Sequence, residues 1–198
     1  MNTVDRRTLL KMLSAAPVAA GLALTEAEAR QAHDQAQAAL QTAARTGTAF
    51  KPQFFSDHEY QTVRVLADLI IPADERSGSA TDAGVPEFMD FIMIDMPARQ
   101  TPMRGGLAWL DLECQRRFDR TFVGSPDAQR REILDDLSAD EPKPGLSHGR
   151  TFFRSFRDLT ATGFWSSKMG IEDIGYVGNT VVPEWKGCPA EVLEKLGL

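Results

Sequence analysis

The chain is poor in the side chains that carry most enzyme chemistry. Its 198 residues include three histidines and two cysteines. His33, His58 and His148 lie far apart, with no spacing that suits a metal site, and each reads as a solvated surface residue. Cys114 and Cys188 belong to no C-x-x-C or C-x-x-C-H pattern, which leaves haem attachment and cluster ligation without support. No G-x-G-x-x-G follows a strand, and neither a P-loop nor a G-x-S-x-G is present. Asp135-Asp136 resembles a carboxylate pair, but with 25% charged residues such pairs arise by chance on a solvated helix face. No catalytic, cofactor-binding or metal-ligating residue is therefore assigned.

A basic surplus is lacking too. Formal charge is −6, so the chain has no general electrostatic drive toward nucleic acid or anionic lipid. Long apolar runs are missing as well. Met12 to Leu24 spans thirteen residues, short of the roughly 20 needed to cross a bilayer. Any membrane association is expected only through a complex or an uncleaved leader.

What is present begins with that short run. Asp5-Arg6-Arg7-Thr8-Leu9-Leu10-Lys11 places paired arginines before Leu9, Leu10 and Lys11. The apolar run follows, and Ala27-Glu28-Ala29 supplies small residues at cleavage spacing. The order of charged head, apolar middle and small-residue end is that of a signal peptide, and Arg6-Arg7 marks the twin-arginine route. That route carries folded proteins, so a periplasmic location is expected. Residues 1–29 are assigned as the leader, 30–52 as an exposed helix or tether, and 53–198 as the main domain. The tether assignment rests on an Ala- and Gln-rich stretch in which Leu40 is the only large aliphatic residue.

The main domain reads as all-α. Ser56 and Glu59 form a capping box for a helix ending at Pro72, with Phe55 and Tyr60 placed as a hydrophobic staple. Tyr60, Val63, Ala67 and Ile70 recur at helical spacing. Pro86 opens a second helix whose Phe88, Met89, Phe91, Ile92, Met93 and Met96 are apolar on more than one side. Such a helix is either deeply buried or shared with a partner, and poor solubility alone is expected if the partner is its cover. Leu107, Leu110, Cys114, Phe118 and Phe122 make a further stripe, as do Ile133, Leu134 and Leu137, then Phe152, Phe153, Phe156 and Leu159. From Gly163 to Gly187, five glycines and four aromatics follow with little periodicity, a long irregular segment of the kind that is usually functional. The expectation is a compact irregular domain of about five to seven helices with an aromatic, Gly-rich C-terminal loop.

Cys114 and Cys188 leave three states open: an intramolecular bridge, two free thiols, or a bridge from one of them to a partner. Export makes a disulfide chemically permitted, and at least one oxidised thiol is the favoured expectation.

Three passages resemble the gluconate 2-dehydrogenase subunit 3 family, the small subunits of flavin-dependent sugar dehydrogenases. One is the leader. Another is Phe55-Ser56 through Leu69-Ile70-Ile71-Pro72-Ala73-Asp74, then Ala83-Gly84-Val85-Pro86-Glu87-Phe88 and Asp90-Phe91-Ile92. The last is Gly163-Phe164-Trp165, Gly175-Tyr176-Val177-Gly178-Asn179 and Trp185-Lys186-Gly187, with Val177 standing where a second Gly is expected. The resemblance implies a subunit with no cofactor of its own. It would bind a larger FAD-carrying catalytic subunit of the glucose–methanol–choline oxidoreductase type, assist its folding and flavin uptake, and export it through the Tat translocase. A c-type cytochrome would take the electrons, and the substrate, a sugar or sugar acid, would belong to the large subunit.

Aromatic residues dominate interface hot spots, so Phe164, Trp165, Tyr176 and Trp185 are candidate partner anchors, on a turn shaped by Gly175, Gly178 and Asn179. The alternative is that these rings fill the domain's own core. For the chain as a whole, the competing expectation is a stand-alone periplasmic helical binding or structural protein.

Overall fold

A computed structural model describes residues 24–141, 143–176, 187–188 and 190–197. Arg6, Arg7, Leu9, Leu10 and Lys11 lie outside these, as do Gly178, Asn179 and Trp185. The described chain has eight α-helices and no strand, so the all-α expectation holds with one helix more than anticipated. They are α1 (Glu26–Thr46), α2 (Asp57–Ile70), α3 (Val85–Asp95), α4 (Gln100–Phe118), α5 (Asp127–Ser138), α6 (Ser147–Ser166), α7 (Lys168–Asp173) and α8 (Ala190–Leu196). A 3-10 turn, Pro97–Arg99, joins α3 to α4.

Local signals account for most boundaries. The Ser56 hydroxyl accepts from the Glu59 N–H while the Glu59 carboxylate accepts from the Ser56 N–H, the capping box expected at α2. Phe55 and Tyr60 are both buried, as a staple requires. Helix α3 starts from Gly84 in the left-handed region at φ 79°, with Pro86 in its first turn. Asp119, at φ 57°, ends α4. Phe122 therefore leaves the stripe expected for it, yet it is fully buried from the following loop.

Helix α6 is the hub, touching α1, α2, α3, α4, α5 and α7. Against it lies α3, whose Val85, Phe88, Met89, Ile92 and Met93 are all essentially inaccessible. Its cover comes from α1, α2 and α6 of the same chain. Of the two readings left open for this helix, deep burial within the chain holds, and the cover by a partner is not needed.

Two further expectations change. The stretch read as an exposed helix or tether is helical, as α1, with a capping box of its own between Thr25 and Glu28, but one of its faces is buried. It packs on α3 and α6 through Ala29, Ala32, His33 and Ala36. Small side chains bury little area each, but they let two helices approach closely, a gain that counting large aliphatics misses. The irregular segment expected from Gly163 starts later, because α6 runs through to Ser166 and α7 to Asp173. Gly163 is a contact rather than a breaker: a Cβ there would lie 2.8 Å from the Phe88 ring.

Candidate functional site

Several buried polar groups of the domain hold structure. Asp90 on α3 is fully buried, and its carboxylate accepts three backbone N–H groups that lead into α2: Gln53 at 2.7 Å and Phe54 and Phe55 at 3.0 Å each. Beside it the Tyr60 hydroxyl donates to Glu87 Oε1 at 2.5 Å. Burial, then the Glu87 carboxylate, push the Tyr60 hydroxyl above its ordinary range. Glu113 is buried on α4 and accepts from Arg116 (2.7 and 3.0 Å) and Arg117 (2.6 Å). These guanidinium groups hold its carboxyl below the usual carboxylate range. Arg117 reaches on to Asp136 of α5 at 2.7 Å, and Lys143 pairs with the same carboxylate. Asp136 is thus one end of a latch between α4 and α5.

His33 corrects its sequence reading. It is buried, stacked on Phe88 with centroids 4.7 Å apart, and its Nε2–H donates to the Gly163 carbonyl at 2.5 Å. Burial lowers its pKa against the smaller opposing effect of the Gly163 hydrogen bond. The native state therefore takes up a proton less readily than the unfolded chain, whose histidine titrates near ~6.5. Its share of stability is complete above that pH and is lost as pH falls through it. His33→Gln, which keeps a donor, is expected to flatten the decline of unfolding free energy between about pH 7 and pH 5. Urea melts across that range check this, and equal slopes in the two proteins would contradict it. His58 stays at the surface, paired with Asp111 at 2.5 Å, and His148 is exposed.

Both cysteines are free thiols. Cys114 is fully buried on α4, and burial pushes its thiol pKa up, while Cys188 is exposed. Of the three states left open, the intramolecular bridge is not formed in this structure. Ala27 is exposed and Ala29 buried, both within the first turn of α1, so the expected cleavage site falls inside a formed helix. Of the proposed anchors, Phe164 belongs to the core at 1% exposure, edge-on to Trp165. Trp165 and Tyr176 are about half exposed, at 46% and 54%. Gly175 takes φ 65° at the end of α7, the turn a glycine was expected to permit.

A groove that the sequence did not announce lies between α4 and α6. Two reciprocal contacts build it. A Cβ on Gly106 of α4 would sit 1.8 Å from the Phe152 ring of α6, and one on Gly149 of α6 would sit 2.3 Å from the Trp109 ring of α4. Each glycine thus receives the other helix's ring. Above this junction the groove encloses about 630 Å³, within the range of natural binding sites. Met93, Met103, Phe152, Phe156 and Leu159 form a buried floor. The rim holds the exposed Pro102, Thr151 and Ser155, with Arg99 at half-burial. Arg99 Nε is buried and meets no hydrogen-bond acceptor among the described residues. Adjacent Gly105-Gly106 beside a helical Trp was the one available sequence signal for this junction. Nothing in the sequence distinguishes Arg99 from other surface arginines.

Fold and site together define an all-α scaffold whose buried charges brace its loops and whose open face is an apolar groove. The family model for gluconate 2-dehydrogenase subunit 3 matches residues 57–183. The chain belongs to the gluconate 2-dehydrogenase subunit 3 family, a family of accessory subunits of a dehydrogenase complex. Searches of curated proteins and of solved structures each returned no significant match.

Proposed function

We propose that this chain is the non-catalytic small subunit of a periplasmic flavin-dependent sugar or sugar-acid dehydrogenase. It binds a catalytic subunit of the glucose–methanol–choline type, assists its folding and flavin uptake, and takes it through the Tat translocase. The observation that carries this reading is the family match over 57–183 in a chain headed by Arg6-Arg7. Two structural features support it. The core closes within the chain, since α3 is covered by α1, α2 and α6, which suits a route that carries folded cargo. Also, Asp90, Glu113 and His33 are engaged in structural contacts. The FAD, the substrate and the link to a c-type cytochrome belong to the rest of the complex.

Replacing Arg6 and Arg7 together by Lys tests the escort role. Lysine keeps the charge but loses the planar fork of donors. Cell fractionation is expected to show this chain and its large subunit both held in the cytoplasm. Continued export of the large subunit beside a stranded small subunit would refute the role.

A further inference from the structure

The α4–α6 groove combines three properties that a closed helical core does not require. Its floor is apolar and rich in methionine, a side chain that adapts its shape to what it meets. Its polar lining is Arg99, His148, Thr151 and Ser155, so among the described residues no carboxylate faces it, although the whole chain carries −6. And Arg99 presents a buried Nε without an acceptor, which desolvates a guanidinium group at a cost that a carboxylate would offset. Glu28 acts on Arg99 through space, but no ion pair joins them. Apolar surface flanked by one unanswered cation is complementary to an apolar segment carrying one acidic side chain.

We infer that the groove is where the large subunit docks, by an apolar segment whose Asp or Glu pairs with Arg99. This rests on the proposed function above and deepens it by assigning the surface. An open rim favours a polypeptide over a small molecule. Pro102, Thr151 and Ser155 stay exposed along the groove, whereas small-molecule sites bury most of their ligand. Arg99 is the specificity element, and Phe152 and Phe156, held by the glycine contacts, are the platform.

The test is a tagged full-length chain purified from cells that also make the large subunit, identified by its mass and flavin absorbance. Arg99→Glu reverses the charge, and Ser155→Trp fills the groove from an exposed position, where folding should be retained. Arg131→Glu, an exposed change on α5 outside the groove, serves as control. Both groove variants are expected to lower the flavin recovered per small subunit by about tenfold or more, as loss of a hot-spot contact does. Their thermal melts should match the control. Full recovery of flavin with both groove variants, while the unsubstituted chain also recovers it, overturns the groove assignment alone. Absence of flavoprotein with the unsubstituted chain overturns the functional reading, and the groove assignment falls with it. Stabilisation of the purified chain by laurate, lost in Arg99→Glu while flavin recovery stays intact, would make this a site for a long-chain carboxylate instead.

Discussion

Asp90→Ala is expected to cost the domain about 3–5 kcal/mol, a large part of the roughly 5–15 kcal/mol that holds a typical domain together. The side chain is fully buried, and its two oxygens accept the N–H groups of Gln53, Phe54 and Phe55. Truncation leaves three backbone donors without acceptors. Each unsatisfied buried group costs about 1–3 kcal/mol, and the sum is reduced because the turn can shift and admit water. The loss should spread to α2, since these residues set the entry to its Ser56 cap. Asp90→Asn keeps one carbonyl oxygen but brings an amide among donors, so an intermediate loss of about 1–3 kcal/mol is expected. Urea titrations of the three proteins give the order directly. An Asp90→Ala midpoint equal to that of the unsubstituted chain would mean these N–H groups have other partners.

Two neighbouring glycines of α4 should respond with opposite sign. In an exposed helix interior, Gly→Ala stabilises by about 0.5–1 kcal/mol through lost unfolded-chain freedom. Gly105 meets that condition, with nothing within 4 Å of an added Cβ. Gly106 does not, because its added methyl would lie 1.8 Å from the Phe152 ring, well inside the contact distance of about 3.5–4.0 Å. The ring is buried and cannot swing clear without disturbing the floor of the groove. Gly106→Ala is therefore expected to destabilise by about 2 kcal/mol or more, and Gly105→Ala to raise the melting temperature. Both melts belong in one experiment. Two shifts of the same sign would show that α4 and α6 do not interlock through Gly106.

How much of this could be read from the chain depends on the kind of signal. The start of helix α2 was legible to the residue and its end to within one or two, because a capping box, a staple and a terminating proline act within a few positions of one another. Helix α3 was legible as buried, but its cover was not, since an apolar surface looks the same whether its partner is intramolecular or not. The helix at α1 was legible, but its buried face was not, because it buries alanines and one histidine whose worth depends on how close the neighbouring helix comes. Gly163 reads as a breaker in a string, yet in space its bare Cα makes room for Phe88. Phe164 and Trp165, adjacent rings, part company for a simple reason: a helix turns about 100° per residue, sending one to the core and the other outward. Arg99 was invisible to sequence because a missing hydrogen-bond partner is a property of the fold.

On the proposed function this chain works within an assembly. The described core closes within the chain. Asp90 fixes the segment that enters α2, and Arg117 with Asp136 latches α4 to α5. The interlocked α4–α6 pair then offers one open apolar face to a partner. The most direct measurement of this claim is recovery of the full-length tagged chain from the periplasm of its own cells, with flavin absorbance and subunit masses read on the same fraction. The account predicts a yellow complex in which a larger flavoprotein accompanies this chain in fixed ratio and oxidises a sugar or sugar acid. A colourless chain of its own mass alone, with the flavoprotein exported elsewhere or not at all, would contradict it.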